Sequence, residues 1–273
     1  MKNVETIRSN LSNVPETMLI PLRARSNETK LQNGIISDPK STEIIDKIAS
    51  NVSEKGEVSL WSQKGVAVRT EILDELTHVF LQEHPDCVVV NLGCGLDTRY
   101  YRLNNNTVQW FDLDVPEAIE LRKNFFQETD NFHFISKSVL DFSWNEQIPP
   151  HKPTLFIAEG LLMYFTEDEV KSILKNIADN FPNAEMIFEA MSPFVAKNSN
   201  KHADVKKYDA VFKWGIKSGK EIDNWNIGAT FINEHFYNRH LDKMPFMLRM
   251  MYRLLPFFIK SMKIVHLRFE VKK

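Results

Sequence analysis

Between residues 87 and 189, short β-rich apolar runs alternate with helix-like segments, and this alternation constrains the fold more than any other feature. The run Cys87-Val88-Val89-Val90-Asn91-Leu92 has the continuous apolar character of a strand covered on both faces. A second run over 108–113 ends at Asp114. Residues 115–126 then read as a helix, with Pro116 at its first position and capping-box spacing from Asp114 to Glu117. Further strands are predicted at 132–136, 154–158 and 184–189, with a helix over 167–181 between the last two. Strands separated by helices in this way predict an α/β fold with a doubly wound, mostly parallel sheet. Residues 263–271 read as a final antiparallel strand at or near the sheet edge. Residues 192–240 are polar and aromatic, with Tyr208, Trp214 and Trp225 as landmarks and little regular period.

Composition narrows the function classes. A formal net charge of −2 gives no global basic field, so no nucleic-acid partner is expected. Two cysteines, Cys87 and Cys94, make no disulfide framework and lack metal-ligand spacing, which fits a reducing, cytoplasmic setting and no metal. The N-terminus has no continuous apolar segment of the secretory type. The segment 244–269 is apolar but is broken by Arg249, Arg253, Pro256, Lys260 and Lys263, so no membrane span is expected. It reads either as a core-facing helix followed by an edge strand or as a basic amphipathic surface element.

The chemistry-bearing residues fall at strand ends. After the first strand, Gly93 and Gly95 allow the close backbone approach that a nucleoside ligand needs. The third glycine of a dinucleotide fingerprint would stand at Thr98, so the motif is incomplete and a nicotinamide-dependent oxidoreductase is the weaker alternative. Asp114 lies 19 positions after Gly95, close to the ~20 that suit a carboxylate on ribose hydroxyls. It could equally cap the following helix, and Asp112, on the same side of the strand by alternation, is the second candidate. Asp141 after the third strand could accept from an adenine amino group or be an ordinary loop aspartate, while Glu159 ends the fourth strand and opens into the same crevice. Upstream, 65–80 reads as a helix whose apolar stripe carries Val66, Ile72, Leu73, Leu76, Val79 and Phe80. Arg69 falls inside that stripe. A guanidinium facing the core needs an anion, either a carboxylate of the same protein or one on a ligand.

The runs NLGCGLDTRYYRL, WFDLDVPEAIELRKNFF, the acid Asp141, IAEGLLMYF, and upstream RARSNET and AVRTEILD together resemble the leucine carboxyl methyltransferase and polyketide O-methyltransferase family of class I S-adenosylmethionine-dependent enzymes. The resemblance spans about 23–189 and is thinner beyond. It implies a Rossmann-like class I methyltransferase with a seven-stranded, mostly parallel sheet, helices on both faces and a helical N-terminal cover. The chain then divides into a cover at 1–84, a cofactor-binding core at 85–191, a substrate-covering insertion at 192–243, and a C-terminal helix and strand at 244–273. It implies that Arg69 holds the methionine carboxylate, with Arg25 a possible helper, that Gly93 lines the cofactor and that Asp114 binds the ribose. Asp141 and Phe142 would flank the adenine, and Glu159 would face the methionine amino end. Phe142 departs from the leucine that many members carry, which a backbone contact would tolerate.

The expected activity is methyl transfer to an oxygen of a small-molecule acceptor, a carboxylate or a hydroxyl. A carboxylate needs no general base, whereas a hydroxyl does. His202, His235, His240, Tyr164, Tyr237, Glu221 and Asp223 are candidates, and nothing around them singles one out as catalytic. Tyr164, Trp214 and Trp225 are the residues expected near the acceptor, although the tryptophans could instead form packing core. A chain that binds S-adenosylmethionine without transferring the methyl group is a further alternative.

Overall fold

The computed structural model describes residues 18–48, 58–105, 107–198 and 211–270. Among the described residues three helices come first: α1 (Leu19–Thr29), α2 (Pro39–Lys47) and α3 (Leu60–Glu83). The Asp38 carboxylate caps α2 by accepting from Ser41 N, and Ser59 Oγ does the same for α3 by accepting from Ser62 N. The alternating region supplies β1 (Val88–Leu92), α4 (Arg99–Leu103), β2 (Gln109–Asp114), α5 (Pro116–Arg122), β3 (Phe132–Ser136), β4 (Thr154–Ala158), α6 (Glu167–Asn180) and β5 (Glu185–Met191). The chain ends in α7 (Pro193–Lys197), β6 (Ala229–Phe236), α8 (Phe246–Leu254), α9 (Pro256–Ile259) and β7 (Met262–Phe269).

The seven strands form one sheet in the order β3-β2-β1-β4-β5-β7-β6. The first five are parallel, β7 is antiparallel to β5, and β6 pairs with β7. The strand order reverses between β1 and β4, the switch point beyond whose carboxyl end a doubly wound sheet opens its crevice. Successive β1 side chains serve opposite layers. Val88, Val90 and Leu92 pack with Trp144 and with Val170, Ile173, Leu174 and Ile177 of α6. Val89 packs on the other face with Leu19 and Leu22 of α1 and Val68, Ile72 and Leu73 of α3. Helix α6 has a clear start, a capping box between Thr166 and Glu169 with three acids in the first turn.

Four expectations are corrected. The helix over 115–126 stops at Arg122, after which Phe125 and Phe126 still pack into the core from a turn. The final strand ends at Phe269, and Val271 lies outside the described residues. Val79, counted on the apolar stripe, is half exposed, because the face that the last turns of α3 bury runs through Leu73, Thr77, Phe80 and Leu81 and leaves Val79 beside it. The segment 192–240, which showed no regular period, supplies β6 as the outer strand. Its burial does not alternate cleanly, which hides an edge strand from pattern reading. Tyr208 and His202 lie outside the described residues.

The core predicts a large cost at its widest side chain. Trp144 is fully buried, stacks on Phe181 with centroids 5.9 Å apart and donates its indole N–H to Val139 O. Trp144→Ala is expected to lower unfolding free energy by roughly 3–5 kcal/mol, read as a shifted urea midpoint. A loss under 1 kcal/mol would contradict this packing.

Candidate active site

The site is built on the carboxyl ends of β1, β2, β4 and β5. At the end of β1 the chain must turn sharply, and it does so through Gly93 and Gly95, with φ of +62° and +46°. A Cβ on Gly93 would be strained by the left-handed backbone and, 2.6 Å from Leu161 Cδ1, would force that side chain to move. Asp114, at the end of β2, binds this loop: its carboxylate accepts from Gly95 N at 2.7 Å and from Val115 N at 2.8 Å. Burial pushes its carboxyl up, against the pull of those two N–H groups. The capping-box reading is corrected here. Val115 takes the cap position of α5 without a side-chain cap bond, because Asp114 is turned toward the glycine loop. Asp112 is sealed inside, pairing with Arg122 and accepting from Asn91 Nδ2 and Trp110 Nε1, so it is removed as the alternative ribose ligand.

Arg69 and Glu159 meet. Arg69 leaves α3 on its buried side and donates Nη2 to Glu159 Oε1 at 2.5 Å and Nη1 to Glu189 Oε2 at 2.7 Å. Glu159 Oε2 accepts from Arg99 Nη2 at 2.6 Å, and Arg25 Nη1 stands 3.7 Å from Oε1. Burial would raise the Glu159 carboxyl, but Arg69 and Arg99 hold it well below the usual carboxylate range. The ion-pair reading of Arg69 is therefore what the protein itself provides. One atom is left over: Arg69 Nε is buried with no hydrogen-bond partner.

This cluster continues under the N-terminal helices. Arg99 also binds Asp74 at 2.7 Å and Asp97 at 2.9 Å, and Arg102 binds Asp74 at 2.7 Å and Asp38 at 3.0 Å. Arg25 Nε reaches Asp38 at 3.0 Å and its Nη2 donates to Leu96 O. On the far side Tyr237 donates its hydroxyl to Glu189 Oε1 at 3.0 Å, and Gly160 N donates to Glu189 Oε2 at 2.9 Å. Burial and the Glu189 charge push the Tyr237 phenol well up, so it acts there as a donor.

The remaining sequence candidates are spread out. Asp141 is exposed and caps the turn Phe142–Gln147, accepting from Ser143 N and Oγ; these bonds hold its carboxyl low. Phe142 is half-buried against the main core. Tyr164 meets Phe212 edge-on at 5.3 Å, beside a small apolar cluster of Met163, Met191 and Ala196 at the carboxyl end of β5. Trp214 is buried against Phe188 and Trp225, and Trp225 carries Lys171 Nζ over its ring, so both tryptophans serve as packing. Among the suggested bases, His240 pairs with Glu71 at 2.8 Å, Asp223 accepts from Phe231 N, and Glu221 closes a capping box with Ser218. His235 is a half-buried residue of β6 whose imidazole is held low by burial. None of these joins the Arg69–Glu159 cluster.

Arg99 and Glu189 were missed as site residues, while Tyr237, considered only as a base, meets the cluster through Glu189. Glu189 did leave a signal, an acid within the apolar strand Met186-Ile187-Phe188-Glu189-Ala190-Met191. Arg99 left none, since its partners come from positions 74, 97 and 159.

Comparisons with known proteins give the family. The leucine carboxyl methyltransferase family profile matches residues 17–178. The chain belongs to the leucine carboxyl methyltransferase family. It is 32% identical over 228 residues to the tetracenomycin polyketide synthesis O-methyltransferase TcmP of Streptomyces glaucescens, covering 83% of each chain. It is 28% identical over 249 residues to the S-adenosyl-L-methionine-dependent methyltransferase dpfgK of Gibberella zeae, again covering 83% of each. An S-adenosylmethionine-dependent methyltransferase of Anabaena variabilis shares the fold, with TM-score 0.52 and 11% identity over 74% of this chain and 85% of that one. The protein is thus a class I S-adenosylmethionine-dependent methyltransferase of Rossmann-like fold. Among the described residues no helix is long and apolar enough to cross a membrane.

The depressed Glu159 carboxyl carries a pH consequence. Its stabilisation is present above the unfolded-state value near 4.5 and is lost as pH falls toward the lower folded value. Urea stability should therefore decline below about pH 4.5. Glu159→Gln, which leaves two guanidiniums underpaired, should be less stable at pH 7 by roughly 3 kcal/mol and show a shallower acid slope. Parallel slopes for the two proteins would refute the assignment.

Proposed function

We propose that this methyltransferase moves the methyl group of S-adenosylmethionine onto an oxygen, a carboxylate or a hydroxyl, of a small-molecule acceptor. The observation that carries the site reading is the buried Arg69–Glu159 pair at the carboxyl end of β4, next to the glycine loop. The amino-acid end of the cofactor bears one carboxylate and one ammonium. It needs a cation and an anion side by side, both shielded from water. Arg69, with its unpartnered Nε, would hold the carboxylate, and Glu159 would face the ammonium. Gly93 and Gly95, both in the left-handed region, turn bare backbone toward the place the ligand would take, and Asp114 retains lone pairs for ribose hydroxyls. Asp141 and Phe142 complete the set on the adenine side. The charge balance supports the same ligand. Four arginines (Arg25, Arg69, Arg99, Arg102) share five carboxylates (Asp38, Asp74, Asp97, Glu159, Glu189), so the cluster favours a net cation such as S-adenosylmethionine. A pyrophosphate-bearing nicotinamide cofactor would meet excess negative charge there.

The bound cofactor supplies an electrophilic methyl group on a sulfonium, and the protein's contribution is to hold the acceptor oxygen in line with it. The TcmP relative is named for a polyketide pathway, which supports a small organic acceptor here. Tyr164, Phe212 and the Met163–Met191 cluster form an apolar wall suited to such a molecule. In this reading Trp214 and Trp225 support that wall from behind. The free buried thiols of Cys87 and Cys94 support a reducing cytoplasm as the setting.

Calorimetric titration tests the cofactor site. Arg69→Lys keeps a positive charge but loses the guanidinium fork, and Arg69→Ala removes both; the alanine variant should weaken S-adenosylmethionine binding roughly 10- to 100-fold at unchanged circular dichroism. Unaltered affinity in a folded variant would sink the role of Arg69. Release of S-adenosylhomocysteine across a panel of carboxylic acids and phenols identifies the acceptor oxygen. A carboxylate acceptor should give a rate independent of pH between about 6 and 8, and a hydroxyl acceptor a rate that rises with pH.

A further inference from the structure

Helix α8 is built the wrong way round for a surface helix. Leu248 and Tyr252 face inward and are buried, as expected for anchors one turn apart. The outward side should then be polar, yet it carries Phe246, Met247 and Leu254, exposed by 63%, 62% and 65%. Phe257 of α9, three positions after Leu254, is exposed by 64% as well. Apolar residues scattered singly over a surface need no explanation, but four large ones within twelve positions do. The polar residues of this segment have one sign. Arg249, Arg253 and Lys260 lie in it, and no Asp or Glu occurs between Asp242 and Glu270. Arg249 leans over the Phe246 ring at 5.7 Å, so cation and apolar surface are presented together.

The position of this stripe in the fold is set by the sheet. Met262, the first residue of β7, is paired with Met191, the last of β5, and Ser192 N donates to Ser261 O. The segment α8–α9 therefore enters the sheet at the carboxyl end of β5, the end at which Arg69, Glu159 and Glu189 meet. Just before α8, Lys243 Nζ donates to Gly34 O in the connection between α1 and α2.

We propose that the outer face of α8 and α9 is a docking surface for an anionic lipid bilayer. Phe246, Met247, Leu254 and Phe257 would enter the interface, and Arg249, Arg253 and Lys260 would meet the lipid phosphates. Exposed apolar side chains in a segment whose charged residues are all cations match a surface that is apolar below and negative above. The charge pattern is what favours lipid over a second copy of this chain, whose identical patch would bring like charges together. Docking in this way turns the cofactor crevice toward the membrane. That last consequence depends on the proposed function, whereas lipid binding itself does not.

Vesicle co-sedimentation of the full chain tests the proposal, with calorimetric S-adenosylmethionine binding measured on the same preparations. Wild-type protein should sediment with vesicles of mixed phosphatidylcholine and phosphatidylglycerol and only weakly with phosphatidylcholine alone. Phe246→Ser with Phe257→Ser, and separately Arg249→Gln with Arg253→Gln, should each lower partitioning by roughly tenfold or more. Cofactor affinity should stay unchanged in both, which shows that the variants fold. Added salt should weaken binding of the wild type. Absence of binding to the anionic vesicles overturns the proposal. So does a dimer in analytical ultracentrifugation that the Phe246→Ser, Phe257→Ser variant dissociates, since the stripe would then be covered by a second copy. Loss of cofactor binding by the wild type would count against the proposed function and leave the lipid result to be judged alone.

Discussion

The carboxylate just past β4, Glu159, is held by guanidiniums from three different helices, and the arrangement of the site depends on it. Arg25 comes from α1, Arg69 from α3 and Arg99 from α4. An ionised carboxylate out of water is tolerable only when it is paired and hydrogen-bonded, so these helices cannot move away from the sheet end without exposing the partners' charges. The same acid thus fixes where the N-terminal helices lie and creates the polar corner beside the glycine loop. Asp38, Asp74 and Asp97 extend the constraint, tying the start of α2, the middle of α3 and the start of α4 into one lattice of charge.

Such a lattice adds less to net stability than its number of contacts suggests, because every member is desolvated. Its value is geometric. Two carboxylates, Glu159 and Glu189, are brought to the ends of neighbouring strands with Arg69 between them, while Tyr237 and Gly160 N orient the second. In the function proposed above, the corner would be preorganised for a zwitterion, which would keep reorganisation during methyl transfer small. The apolar packing around Trp144 and α6 on one face, and around α1 and α3 on the other, keeps this end of the sheet rigid.

Most of the fold was legible in the sequence because the central strands are buried on both faces. β1, β4 and β5 are continuous apolar runs, and such runs end visibly at Gly93, Glu159 and the turn after Met191. β6 was not legible, since an edge strand with one solvated side and a register shift between Phe231 and Asn233 has no clean period. Arg69 stood out as a charge on an apolar stripe. Arg99 did not, because a cation next to a strand-end loop is ordinary until its partners are known. Trp214 and Trp225 left two readings open, binding wall or packing core, because the neighbours that pack on them, Phe188 and Lys171, lie far away in sequence.

The sequence by itself therefore determined the α/β alternation, the glycine turn after β1, the acids at the ends of β2 and β4, and the family to which they belong. These are local features, written in the period of apolar residues and in the few positions where only glycine or a carboxylate suits a strand end. Tertiary structure decided which acid meets which arginine, that Asp112 is sealed inside while Asp114 holds the glycine loop, and that α8 turns an apolar face outward. Each of these depends on contacts between residues separated by tens of positions. Pairing and burial are properties of the folded neighbourhood, and no local pattern encodes them.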